Sequence, residues 1–85
     1  MPQPSEPPTA AIAHVLELLR IARQERDIAV ARWLRAKRFA ADPMLNDTER
    51  MVTRLQRAIA ENGVTLWRAE VAQLEERARR LGVTP

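Results

Sequence analysis

The sequence contains no cysteine and no tyrosine, and it has one histidine, His14, and one serine, Ser5. Without cysteine, disulfides, thiolate zinc sites and thiol catalysis are excluded. Nucleophilic catalysis needs a nucleophile beside a base and an orienting group. His14 shares its helix face with no second histidine and no tight carboxylate cluster that would complete a metal site. We therefore predict a protein that is not an enzyme, with no catalytic residue, no metal and no cofactor.

Glycine is also scarce, because Gly63 and Gly82 are the only two in the sequence. Two isolated glycines cannot build a glycine-rich phosphate-binding loop. No apolar run approaches the roughly 20 residues that cross a bilayer. Residues 1–9 contain four prolines and no basic residue, so they lack the features of a signal peptide. The sequence predicts a cytoplasmic protein with no membrane partner.

Charged residues, in contrast, make up 29% of the chain, yet fourteen basic side chains against eleven acidic ones leave a net charge of only +3. A chain of 85 residues forms one domain at most. Its core is marginal, because a domain this small buries only about 60% of the surface that its unfolded chain exposes. Small domains without disulfides or metals commonly gain stability from a partner chain. Size and composition therefore favour an oligomer.

Proline and glycine divide the chain into a tail and helical segments. The prolines of residues 1–9 predict a disordered tail, and residues 10–41 contain neither proline nor glycine, which predicts one long helix. Asn46 and Glu49 have the spacing of a capping box, which predicts the start of a second helix over 46–62.

A third helix is predicted over 65–81, with Thr65 as its N-cap and Gly82 as its stop. Residues 83–85 then form a short tail. The apolar residues of this segment recur at heptad-like spacings of four and three, as in a coiled coil: Trp67, Val71, Leu74, Ala78 and Leu81.

The behaviour of Gly63 decides between two all-α architectures. Asn62-Gly63 is typical of a helix C-cap, and Gly-Val-Thr occurs at 63–65 and again at 82–84. We predict three helices, with the long N-terminal helix packed antiparallel on two shorter ones. The alternative is a helical hairpin that is only kinked at Gly63, whose second arm nearly matches the first in length.

The first helix has apolar residues on more of its circumference than one neighbour can cover. An ordinary surface helix has a single apolar stripe about 100° wide. Here a second set points away from the main stripe, and apolar surface left over on a small domain usually marks an interface. We predict a homo-oligomer, with a dimeric helical bundle favoured, acting as a non-enzymatic interaction or assembly module whose partner is a second copy or another protein. Its interface residues would be Ile21, Ile28, Phe39, Leu16, Val30 and Leu34.

Basic residues suggest an alternative function, a small dimeric DNA-binding regulator. Five cations are candidates for nucleic-acid contact: Arg32, Arg35, Lys37, Arg38 and Arg68. Residues 58–72 also resemble the helix-turn-helix pattern of bacterial repressors, with Gly63 as the turn glycine. The segment departs from that pattern at Ile59, where a small residue is usual. The competing interpretation is that cations near a helix C-terminus stabilise the helix dipole.

Overall fold

The computed structural model describes residues 8–85, which form two α-helices, α1 (Pro8–Ala40) and α2 (Asp47–Arg80), joined by a short loop. The helices are antiparallel: a groove between them is lined by Leu18 of α1 and Leu74 of α2, and another by Ala29 and Gly63. The protein is therefore an all-α hairpin. Of the predicted tail over 1–9, residues 1–7 lie outside the described residues.

The first helix begins two residues earlier than expected, at Pro8 rather than Ala10. Proline is well suited to the first position of a helix, because its fixed φ is already helical and its missing N–H would have no partner there. The helix ends at Ala40, and Asp42 then accepts a hydrogen bond from the backbone N–H of Met44 at 2.9 Å. The loop therefore turns on an aspartate side chain that comes directly before Pro43.

The predicted capping box at Asn46 is confirmed. The Asn46 side chain accepts a hydrogen bond from the Glu49 backbone N–H at 2.8 Å, and the Glu49 carboxylate accepts one from the Asn46 backbone N–H at 3.2 Å. At the other end, Gly82 has a φ of 83°. The backbone N–H of Val83 donates to the carbonyl of Ala78, which completes a Schellman motif.

The predicted break at Gly63 is wrong, since α2 continues through it as one helix of 34 residues. Thr65 is not an N-cap, because its hydroxyl donates to the Glu61 carbonyl one turn back. A helical glycine costs about 1 kcal/mol relative to alanine, but an uninterrupted helix keeps Val64 in phase with Val71 and Leu74, and all three are buried. Of the two predicted architectures, the two-helix hairpin is the one observed.

Burial is confined to one part of the hairpin, which we call the terminal half (residues 11–30 and 64–81). Within residues 9–85, all eight buried residues lie there: Val15, Leu19, Ala22, Ala29, Val64, Val71, Leu74 and Ala78. The remainder, residues 31–63, we call the loop half. Its helices face each other through half-buried Trp33 and small side chains such as Ala36 and Ala60, so the two helices share little apolar contact there.

The large apolar residues of α2 before Gly63 lie on its solvent side. Met51, Val52, Leu55 and Ile59 are 47–72% exposed. Because α2 is continuous, the buried residues beyond Gly63 fix its rotation about its own axis. That rotation turns the earlier apolar residues away from α1.

Candidate functional site

The described residues contain no group of three or more histidine, aspartate or glutamate side chains placed to hold a metal ion. His14 is exposed on α1. Within residues 8–85, no helix is both long and apolar enough to cross a membrane. The surface features that remain are apolar and basic ones.

The most extended apolar feature is a row of residues along the solvent side of α2, which we call the outer stripe: Val52, Leu55, Ile59, Asn62, Leu66 and Ala69. Successive members are three or four residues apart, and all six are exposed. At 3.6 residues per turn, the stripe lies roughly 130° around the helix from the buried residues of α2. A helix of a globular protein normally carries one such seam, and α2 carries two.

The residues that flank the outer stripe on one side are also exposed and uncharged: Met51, Ala58, Thr65 and Ala72. This face is unusual in a chain in which 29% of the residues are charged. Arg57, Glu61 and Arg68 lie on other sides of the helix, and Arg54 and Glu70 lie along the two edges of this face. The outer stripe is therefore a continuous uncharged surface about 25 Å long at 1.5 Å per residue.

An apolar groove between the two helices borders the outer stripe. It has a volume of about 520 Å³, and Leu18, Ile21, Leu66 and Trp67 are among its lining residues. A second groove continues it toward the loop, where Ile59 and Gly63 line the wall. Trp67 lines both grooves, so the outer stripe and the adjacent side of α1 form one surface.

The six interface residues predicted on α1 do not form a single surface. Ile21, Ile28 and Phe39 are 36–58% exposed and lie at similar angles around α1, and Ile21 lines the groove. Leu16 and Leu34, each about 40% exposed, lie roughly 140° around the helix, with half-buried Val30 beside them. The first set extends the surface of the outer stripe, and the second lies on the opposite side of the hairpin.

That opposite side is polar between the helices. An ion pair joins Arg23 of α1 to Glu75 of α2, with 3.9 Å between nitrogen and oxygen, and Arg79 also contacts Glu75 at 3.9 Å. Such partly exposed pairs contribute little stability. Their presence shows that this side of the hairpin is charged, whereas the groove side carries Glu70 and Arg32 beside its apolar residues.

The basic residues predicted for nucleic-acid contact point in several directions. Lys37 places its Nζ 4.9 Å from the centre of the Trp33 ring, whereas Arg32 lines the groove beside Ile59. The indole N–H of Trp33 is buried and has no hydrogen-bond partner among the described residues. Arg68 lies in the terminal half. The helix-turn-helix interpretation of residues 58–72 is wrong, because that segment is one uninterrupted helix.

Sequence reasoning missed three arginines on α2. Arg50, Arg54 and Arg57 line a depression with residues 40–43 of the α1 end and the loop. The turn at Pro43 brings them to the same end of the hairpin as Arg35 and Arg38. Residues 31–60 contain seven basic and three acidic side chains, whereas the described residues outside that segment contain seven of each. The sequence did predict antiparallel arms, and that arrangement could have shown that these arginines lie at the same end of the hairpin as Arg35 and Arg38.

Comparison of the chain with protein-family models, with curated proteins and with solved structures found no match. The surface of the hairpin itself therefore carries the evidence about its function.

Proposed function

We propose that the protein is a non-enzymatic helical interaction module that assembles as a homo-oligomer, with a dimer as the working unit. The outer stripe carries this proposal. Its large apolar members, Leu55, Ile59 and Leu66, are 59–72% exposed. Contiguous apolar surface of this extent on a small domain usually marks a protein interface.

The limited core supports the same proposal. Three of the eight buried residues are alanines, and an alanine side chain contributes little apolar area to a core. A second chain on the outer stripe would bury apolar side chains that the monomer leaves in water. Oligomerisation is one of the few routes by which a small domain without disulfides or metals gains stability.

The test is sedimentation of the wild type and of a double variant, Ile59→Glu with Leu66→Glu. Burying two unpaired carboxylates is costly, so we expect the wild type to sediment at twice its 9.7 kDa mass and the variant as a monomer. The dissociation constant of the dimer should rise by at least about 100-fold in the variant, since each tenfold change in that constant corresponds to 1.4 kcal/mol. A wild type that stays at 9.7 kDa up to millimolar concentration would overturn the proposal.

A matched control adds the same charge elsewhere. Ala13 and Ala31 are exposed on α1, on the side facing away from α2, so Ala13→Glu with Ala31→Glu should leave the dimer intact. A third variant, Ile21→Glu with Ile28→Glu, measures how far the interface extends onto α1. If only this third variant causes the dimer to dissociate, the interface lies on α1 and not on the outer stripe.

The basic loop half supports a second candidate function, contact with nucleic acid. Arg50, Arg54 and Arg57 line one depression, and the net positive charge of the described residues lies within 31–60. Phosphate contacts of this kind are salt-dependent and do not by themselves read sequence. The candidate is therefore a sequence-independent backbone contact.

A gel-shift titration with duplex DNA at low and at moderate salt tests the second candidate. Binding should weaken as salt rises, and it should weaken further when Arg32, Arg35 and Arg38 become alanine. The same loss is expected for a triple variant at Arg50, Arg54 and Arg57. If no shift occurs at low salt, nucleic acid is not a partner.

A further inference from the structure

We infer that the outer stripe is an antiparallel α2–α2 contact with a second copy of this chain, related by a two-fold axis that passes close to Asn62 and Gly63. This inference rests on the proposed homo-oligomer and gives it a geometry. The first observation is the spacing of the stripe, which alternates three and four residues from Val52 to Ala69. That is the spacing of helices that pack side by side at a small crossing angle.

The available area fits a second helix. Met51, Val52, Leu55, Ile59 and Leu66 are 47–72% exposed, which corresponds to apolar surface on the order of 600 Å² per copy, against about 800 Å² per partner in a standard interface. The groove that borders Leu66 and Ile21 supplies further apolar area. The stripe is therefore close to the size that a stable dimer requires.

The charges at the two ends of α2 select the antiparallel orientation. The first turn of α2 carries Asp47 and Glu49, and its last turn carries Arg77, Arg79 and Arg80. In an antiparallel pair the acidic first turn of each copy lies beside the basic last turn of the other. A parallel pair would align like charges and helix dipoles that point in the same direction, which is unfavourable at both ends.

The position of the axis follows from the same two features. The midpoint of α2 (Asp47–Arg80) falls beside Gly63, and the midpoint of the stripe lies between residues 60 and 61, so an axis at Asn62 is within two residues of both. An axis at Asn62 places Leu55 opposite the partner's Ala69, and it places Ile59 within one residue of the partner's Leu66. A Cβ added at Gly63 would meet no atom within 4 Å, so open space lies beside the axis for the second helix.

Asn62 is the one strongly polar member of the stripe, and the two-fold axis gives it a partner. Its amide carries both donors and an acceptor, so two copies of Asn62 at the axis can hydrogen-bond to each other. A slip in register would place the amide against leucine or isoleucine. A single polar residue in such a seam commonly fixes register and orientation at some cost in stability.

The absence of cysteine allows a direct test by disulfide formation. Asn62→Cys lies at the axis and should cross-link to itself under mild oxidation. Leu55→Cys should not, because antiparallel copies would hold the two thiols roughly 22 Å apart along the helix, far beyond the ~7 Å limit between Cα atoms. An equal mixture of Leu55→Cys and Ala69→Cys should cross-link as a mixed dimer. All three positions are exposed, so each variant should remain helical, which circular dichroism checks.

We expect Asn62→Cys to cross-link at least about tenfold faster than Leu55→Cys alone. Equal rates for these two variants would indicate a parallel pair and overturn the inference. A dimer in sedimentation that cross-links at none of these positions would retain the proposed function and overturn the antiparallel α2 contact. A chain that is monomeric in sedimentation would overturn both.

Discussion

The two halves of the hairpin use apolar residues in opposite ways. The terminal half contains all eight buried residues, and the loop half contains seven of the twelve large hydrophobic residues that are exposed. The loop half nevertheless remains helical, with the capping box at Asn46 at the start of its α2 segment. Its helicity therefore depends more on local backbone and side-chain chemistry than on a core.

Under the proposed function, this difference corresponds to a division between folding and assembly within one hairpin. The terminal half has the tertiary contacts that hold the two arms together. The loop half presents uncharged surface on α2 and most of the net positive charge. Substitutions that affect one half and leave the other unchanged test this difference.

The largest effect is expected from a buried leucine. Leu19 is 1% exposed and Leu55 is 59% exposed. Replacing each leucine by alanine therefore compares the same loss of side chain in the two halves. Leu19→Ala should lower the free energy of unfolding by about 2–5 kcal/mol, whereas Leu55→Ala should change it by less than about 0.5 kcal/mol at concentrations where the chain is monomeric. Urea denaturation measures both. Similar losses for the two variants would contradict the comparison.

The two glycines should respond to alanine with opposite signs. Gly82 has a φ of 83°, and a side chain there costs about 1–2 kcal/mol. Gly63 is helical with no atom within 4 Å of an added Cβ, so Gly63→Ala should stabilise the hairpin by about 0.5–1 kcal/mol. Thermal unfolding of each variant gives the sign. If Gly63→Ala destabilises the monomer, the helix is not continuous there.

A smaller loss is expected at the capping box of the loop half. Asn46→Ala removes the acceptor for the Glu49 N–H and should cost about 1 kcal/mol. Asn62→Ala is the matched control, because alanine has the higher helix propensity at an exposed helical position and should be neutral or slightly stabilising in the monomer. Amide hydrogen exchange over the first turn of α2 should quicken in the first variant and not in the second.

The smallest effect concerns a surface ion pair in the terminal half. Arg20 donates to both carboxylate oxygens of Glu17, at 2.6 and 3.0 Å, and these hydrogen bonds hold the pKa of Glu17 below its ordinary value. A carboxyl group whose pKa is lowered on folding stabilises the protein at pH values above the ordinary pKa of that group. This stabilisation is lost as the pH falls through the folded-state pKa. In Arg20→Gln, an NMR titration should show the Glu17 pKa moving back up, with little change in unfolding midpoint. An unchanged pKa would show that the pair does not persist in solution.

Much of the fold followed from local chemistry that the sequence displays directly. The prolines and Asn46 set the ends of both arms to within a few residues. The heptad spacing from Trp67 to Ala78 identified residues that pack against α1, since Val71, Leu74 and Ala78 are buried. These features depend on neighbours in the chain, so a sequence is sufficient to find them.

The rotation of α2 about its own axis could not be predicted from the sequence in the same way. Asn62-Gly63 has the local chemistry of a helix stop, and the apolar residues from Met51 to Ile59 have the spacing of a core seam. The helix nevertheless continues through Gly63, and buried Val64, Val71 and Leu74 fix which side of it faces α1. That is a tertiary effect, and local propensity does not determine it. The candidate interface on α2 was missed for this reason.

The continuity of α2 at Gly63 also sets an angular phase between its two seams. Each residue advances a helix by about 100°, so deleting Gly63 alone would turn residues 47–62 by that amount relative to the residues after it. The turn would bring Val52, Leu55 and Ile59 onto the side that faces α1. A change of one residue in chain length thus decides whether these side chains are exposed to solvent or enclosed between the two helices.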